Sequence, residues 1–235
     1  MNQLIKKLTK YCIDNLDDLS NLDKKAPEYN YSCVALCAID SVYSIGVRYE
    51  GVQNVISHFC QKTAIPEKSK RRGSFSRPEF QTPTFKILSI LNAYSSTELA
   101  EKMFNNKQRT SVKNGILKAE ATKRFISVLN DFDIQYFSDI ARLENNESFE
   151  VCIKSIPGQK SGISLKYFLM LAGNDKLIKP DRMILRFLEA ALGTRINIVD
   201  AHSMLVEATN ELKNIGFNVS PKALDRIIWD YQRTL

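Results

Sequence analysis

Apolar residues recur at helical spacing along nearly the whole chain, and this periodicity limits the fold more than any other feature. In EGVQNVISHFC, residues Val52, Val55, Ile56, Phe59 and Cys60 fall at i, i+3, i+4, i+7 and i+8, one face of a helix. SCVALCAIDSVYSIG places Cys33, Leu36, Cys37 and Val42 on a similar stripe, with Gly46 as a stop. GILKAEATKRFISVLNDFDI and SMLVEATNELKNIG read the same way, and SPKALDRIIWDYQ opens with the Ser-Pro pair that starts helices. Runs of strand character are scarce, the best being the short RINIV at residues 195–199. The expectation is an all-α fold.

At 235 residues, 44% hydrophobic and 25% charged, the chain is long enough to bury a substantial core and is not of disordered composition. MNQLIKKLTKYCIDNL carries lysines without a following apolar run, so no signal peptide is read there. No stretch reaches the length of a membrane span, and a cytoplasmic location without membrane partners is expected. The five cysteines are scattered and include no CxxC, which argues for buried thiols over a disulfide framework. Cys33 and Cys37 share a helix face without a neighbouring His or Cys to complete a zinc site, so no metal is expected.

The formal charge of +7 is unevenly spread. Between Lys62 and Arg124 there are fourteen Lys or Arg against five Glu, an excess larger than that of the whole chain. A basic segment on a nearly neutral body suits a polyanion, of which nucleic acid is the commonest. AIPEKSKRRGSFSRPEFQTPTF, with three prolines and Gly73, is expected to be an exposed loop. Its cations Lys70, Arg71 and Arg72 are candidates to track DNA phosphates, the alternative being a solvated connector. SNLDKKAPEYNYS is read as a second polar connection.

SIPGQKSGISLKY interrupts the helical pattern. Pro157-Gly158 sets a tight turn, Ser161 can cap the next helix, and Ile163 to Ala172 is apolar almost all round and therefore expected to be buried on most sides. Helix starts leave N–H groups unpaired, and Gly158 and Gly162 let a ligand approach the backbone, so this turn with Lys160 is a candidate phosphate site. A plain helix–helix turn accounts for the same residues. A few residues on, Pro180 cannot continue a helix, and Asp181 stands where a new one begins, over the apolar face Met183, Ile184, Phe187, Leu188, Ala191 and Leu192. Asp181 is a natural N-cap, and the helix N–H donors would keep its carboxylate ionised.

In order and type, these parts resemble the helix-hairpin-helix DNA glycosylases, the superfamily that includes endonuclease III and the 8-oxoguanine and 3-methyladenine glycosylases. Members carry a hairpin of the type LPGxGxx, a buried helix, and an Asp opening a further helix. IPGQKSG matches at Ile156, Pro157 and Gly158, with Lys160 at the second glycine and Gly162 where the bifunctional enzymes have lysine. The Asp falls at Asp181, Arg186 is in register with the end of the motif, and Met183 stands where a His is frequent. Upstream, Lys118-Ala119 and LCAIDSVYS are similar to two further family helices, and the resemblance spans about Cys33 to Leu188.

The resemblance implies two helical subdomains, one over residues 33–173 and one joining 1–32 to 174–235, with a base-binding cleft between them. It implies an enzyme that flips a damaged or modified base from double-stranded DNA and hydrolyses its N-glycosidic bond. Asp181 would stabilise the sugar cation, an attraction that grows from about 1 kcal/mol in water to about 4 kcal/mol at an effective dielectric near 20 for a 4 Å separation. Gly158, Gln159, Lys160, Ser161 and Gly162 would hold the phosphate backbone, and Tyr43 would serve the base pocket or fill the gap in the DNA. Gly162 stands in place of the family's Schiff-base lysine, which implies a monofunctional enzyme without strong lyase activity that leaves an abasic site. No four-cysteine cluster suggests an iron–sulfur centre, so no cofactor is expected, and a monomer suffices. The role would be base excision repair or defence against viral DNA with modified bases such as glucosylated cytosine. The competing expectation is a non-catalytic helix-hairpin-helix protein that binds DNA or a lesion, with Asp181 as a cap only. Trp229, Tyr231, His58 and His202 are read as structural residues.

Overall fold

A computed structural model describes the chain except residues 1, 18, 20–28, 48 and 73, and except the side chains of Asn2, Tyr29, Arg71 and Arg72. The described residues are mostly helical, and the chain divides into two compact units, Met1–Ala26 with Asn174–Leu235 and Pro27–Gly173. The expected division after Gly173 coincides with one boundary, and the other lies before Pro27 instead of before Cys33. Among the described residues, no helix is long and apolar enough to cross a membrane.

The central unit is built around α2 (Val34–Tyr43), with α3 (Tyr49–Thr63), α4 (Thr84–Asn92), α6 (Lys118–Asp131) and α8 (Ile163–Leu171) packed against it. Every residue of α2 is buried, where the sequence pattern suggested a single apolar stripe. Ala35, Cys37, Ala38 and Ser41 are small enough to admit neighbouring helices on all sides. Burial of Asp40 is possible because Tyr31 and Ser44 donate to its two carboxylate oxygens, at 2.7 and 2.8 Å. That same carboxylate, after burial itself, pushes the Tyr31 phenol far above its ordinary pKa.

Between α4 and α6 the short α5 (Ser96–Glu98) is closed by a Ser95–Glu98 capping box and runs on into a π turn over Leu99–Met103. This wider turn brings Phe104 between Phe59 and Tyr43, with ring centroids 5.4 and 5.2 Å away. The helix α7 (Glu147–Ser155) is capped by Asn146 and leads into the Pro-Gly turn.

Two expectations about extended structure are corrected. Part of the basic stretch, Lys68–Arg72, is a strand (β2) paired antiparallel with Tyr29–Tyr31 (β1), so it is not wholly a loop. KSKRR has no alternating apolar pattern of its own; the strand exists because β1 supplies the ladder, with Ser69 buried beneath it. RINIV, conversely, is not a strand. Asn197 accepts a hydrogen bond from the Asp200 N–H at 2.9 Å and starts a helix at Ile198. A capping side chain there outweighs β propensity.

The second unit packs α1 (Asn2–Asn15) against α9 (Arg182–Leu192) and α10 (Ile198–Asn214), with α11 (Pro221–Thr234) against α9 and α10. Ile5, Leu8, Cys12, Phe187, Leu188, Leu205, Leu224 and Ile228 are among its core residues. Tyr231 packs edge-on to Phe187 with centroids 6.0 Å apart. Arg233 lies 4.8 Å from the centre of the half-buried Trp229 ring.

Candidate functional site

The turn after α7 consists of two successive tight turns. The Gln159 N–H donates to the Ile156 carbonyl and the Gly162 N–H to the Gln159 carbonyl, both at 2.9 Å. Gly158 and Gly162 have φ values of +91° and +72°, the left-handed region where a side chain is strained. Gly162, not Ser161, is the N-cap of α8; the Ser161 hydroxyl accepts a long bond from the Ile163 N–H at 3.4 Å. Only part of α8 is buried, including Ser164, Leu165, Phe168 and Met170.

Among the described residues, the N–H groups of Gly158, Lys160 and Ser161 have no hydrogen-bond partner, and all three residues are exposed. The other two residues of the expected phosphate site behave differently. Gln159 is fully buried with its amide oxygen bonded to the Ser164 hydroxyl, and its amide nitrogen is unpaired. Gly162 is buried and has already spent its N–H on the turn. Both therefore shape the turn from inside.

A second loop stands beside this turn. A Cβ on Gly158 would come within 2.3 Å of the Thr110 Cβ, so the glycine is required by close approach as well as by φ. Thr110 belongs to a hairpin-like loop closed by its own N–H to the Ile116 carbonyl at 2.9 Å and by Arg109 Nη1 to the Gly115 carbonyl at 2.7 Å. Asn114 adopts φ +57° at the tip, and Val112 is 103% exposed with exposed Lys113 next to it. The buried Thr110 hydroxyl, like the Gln159 amide nitrogen, has no partner. The sequence reading overlooked this loop, although its Asn-Gly dipeptide is a strong hairpin signal.

The base of the loop is tied down by Lys118, which is 1% exposed. Its ammonium donates to the carbonyls of Tyr43 and Ile45 and to the Gln108 side chain, at 3.0, 2.7 and 3.1 Å. Burial lowers its pKa to about 8. Tyr43 itself is 1% exposed and packed against Phe104, so the expected role in a base pocket or a DNA gap does not hold for this enclosed side chain.

In the basic stretch, the Lys70 ammonium lies 4.5 Å from the centre of the Phe80 ring, which is itself 56% exposed. Lys68 lies 4.2 Å from the Tyr31 ring centre and 3.4 Å from a Glu67 carboxylate oxygen. The side chains of Arg71 and Arg72 lie outside the described residues.

Asp181 belongs to the other unit. It is the N-cap of α9, and its Oδ1 accepts from the Met183 and Ile184 N–H groups at 2.8 and 3.3 Å. Among the described residues, Oδ2 has no hydrogen-bond partner, and the residue is half-buried. Its backbone N–H donates to the Lys179 carbonyl at 2.7 Å across the buried Pro180. The Lys179 N–H in turn donates to Asp225 Oδ1 at 3.0 Å. Burial, and then the charge of Asp181, push the Asp225 carboxyl up to about 7. Among the described residues, which do not include Asp18, no group of three or more His, Cys, Asp or Glu could hold a metal ion.

No curated protein matches the chain, and no solved structure matches it. A family model matches residues 6–233, nearly the entire length, and the chain therefore belongs to the family described as Domain of unknown function (DUF8548).

Proposed function

We propose that the protein is a DNA glycosylase of the helix-hairpin-helix type, acting as a monomer on double-stranded DNA without a cofactor. The observation that carries this reading is the turn at Gly158–Ser161, whose three exposed and unpaired N–H groups precede a helix start and carry the cation of Lys160. Backbone donors at the positive end of a helix suit a phosphate of the DNA backbone. Val112, on the hydrogen-bonded loop beside the turn, takes the gap-filling role for which Tyr43 is too enclosed.

Asp181 supplies the chemistry in this reading. Capping commits Oδ1 to α9 and leaves Oδ2 for the reaction. As the C1′–N bond breaks, its electron pair leaves with the base, and the carboxylate stabilises the cation on the sugar. Water then adds to C1′ and gives up its proton to the carboxylate, leaving an abasic site. Gly162 offers no amine for a Schiff base, so the enzyme is monofunctional. Its place would be in base excision repair or in defence against DNA carrying modified bases.

The test is base release from duplexes with oxidised, alkylated, deaminated, mismatched or glucosylated bases, with Asp181→Asn alongside. The expected result is release by the native protein and a loss of about 100-fold in the variant. The capping bonds of Asp181 favour a second reading, a DNA- or lesion-binding protein in which the Asp is only structural. Tight binding by both proteins with no release from any of these duplexes selects it.

A further inference from the structure

The connector between α8 and α9 is fastened to the first turns of α11. The Lys222 N–H donates to the Asp175 carbonyl at 3.2 Å, and the Lys222 ammonium lies 3.2 Å from the Asp175 carboxylate. One turn further along α11, Asp225 accepts the Lys179 N–H at 3.0 Å, and Lys179 accepts the N–H of Asp181. The helix thus holds, through Asp225, the piece of backbone from which Asp181 projects. A neutral asparagine or a serine would serve as acceptor for that N–H, and an aspartate brings a second negative charge toward Asp181 at a cost in electrostatic energy. Holding the connector does not by itself require this charge.

We propose that Asp225 is a positioning residue for Asp181, fixing the Lys179–Asp181 backbone through the Lys179 N–H so that its own charge state bears on how Asp181 is set. This rests on the glycosylase reading for its consequence but not for its geometry. The groups that act on Asp225 are Asp181 at the start of α9, Lys179 in the connector and Arg226 on its own helix. The like charge of Asp181 and burial favour the acid form of Asp225, while the Lys179 bond and the two cations oppose them. With Asp225 in its acid form, the side chain that holds the connector adds no charge beside the carboxyl that caps α9. Ionisation of Asp225 places a second negative charge on the α11 side chain that holds the Lys179–Asp181 backbone, and its repulsion of Asp181 disturbs the orientation of Oδ2. Base release would then decline as pH rises through the midpoint of Asp225.

Carboxyl-carbon NMR of the protein, labelled at aspartate, reads the charge state of Asp225 directly. The Asp225 signal is expected to titrate with a midpoint near 7, and that midpoint should fall in Asp181→Asn. A midpoint in the ordinary carboxylate range, or one unmoved by Asp181→Asn, overturns the proposal. Single-turnover base release against pH then reads the consequence, with Asp225→Asn keeping the acceptor and Asp225→Ala removing it. The native profile should fall across the Asp225 midpoint, Asp225→Asn should abolish that fall, and Asp225→Ala should lower the rate at every pH. An identical pH profile for the native protein and Asp225→Asn overturns it as well. If the native protein releases no base, the glycosylase reading fails, and the NMR titration still decides whether Asp225 feels the charge of Asp181.

Discussion

The Lys118 ammonium donates to the Ile45 carbonyl at 2.7 Å, joining the first residue of α6 to the chain just beyond the end of α2. A lysine buried to this degree is retained where its three acceptors would otherwise stand unpaired.

Lys118→Met should therefore destabilise the protein by about 2–3 kcal/mol, since it leaves the buried Tyr43 carbonyl and the partly buried Ile45 carbonyl without this donor. The pH dependence has a definite sign. Folding lowers the lysine pKa from 10.5 to about 8, so the unfolded chain holds the proton more tightly in that interval. Native stability should rise with pH between those values relative to Lys118→Met, and urea unfolding at several pH values measures the difference.

The two left-handed glycines of the turn should respond unequally. At Gly158 a new Cβ meets the Thr110 Cβ at 2.3 Å, whereas at Gly162 it meets the end of the flexible Lys154 side chain at 2.9 Å. Gly158→Ala should cost about 3 kcal/mol and Gly162→Ala about 1 kcal/mol, the latter from backbone strain alone. Thermal unfolding of the two variants separates them, and equal losses would count against the described contact with Thr110.

Asp225→Asn should stabilise the protein in alkaline solution. The carboxyl pKa is raised from 3.8 to about 7, so the native state binds a proton that the unfolded chain has lost across that interval. Native stability therefore falls relative to the variant as pH rises through this window and runs parallel above it. The difference at pH 8 should be on the order of 1–2 kcal/mol, allowing for the partial exposure of the residue. Denaturant melts at acid and alkaline pH check both the sign and the window.

Val112→Asp should weaken binding to duplex DNA about 10-fold while leaving stability within about 0.5 kcal/mol, because the side chain touches solvent and not the core. Fluorescence anisotropy with a labelled duplex, beside a thermal melt, tests this. Unchanged affinity would remove Val112 from the proposed DNA-binding surface.

Helices whose cap and apolar face lie within one segment were readable from the chain alone. Asp181 ahead of α9 and Ser220-Pro221 ahead of α11 are examples, each with a local acceptor and a regular apolar stripe. Features that depend on a distant partner were not readable. The burial of Asp40 needs Tyr31, β2 needs β1, and the closeness of Gly158 to Thr110 needs two loops to meet. Position in a motif also failed to reveal orientation: Gln159 turns inward to Ser164, and Tyr43 is buried against Phe104. Asp225 escaped notice because its importance comes from Lys179 and Asp181, on a segment remote in sequence.

The unit holding Asp181 is made from both ends of the chain, with α1 packed on α9 and α10. During synthesis, α1 emerges before α9 and α10 and has no core to join until those helices have left the ribosome. The continuous unit from Pro27 to Gly173 can complete its own core in the meantime. An amphipathic helix is thus left waiting, with Ile5, Leu8 and Cys12 uncovered, for most of translation. Shortened chains that end before α9 should keep the hairpin unit and expose α1 to chaperones and proteases, so that the carboxylate Asp181 is assembled only as the final step of folding.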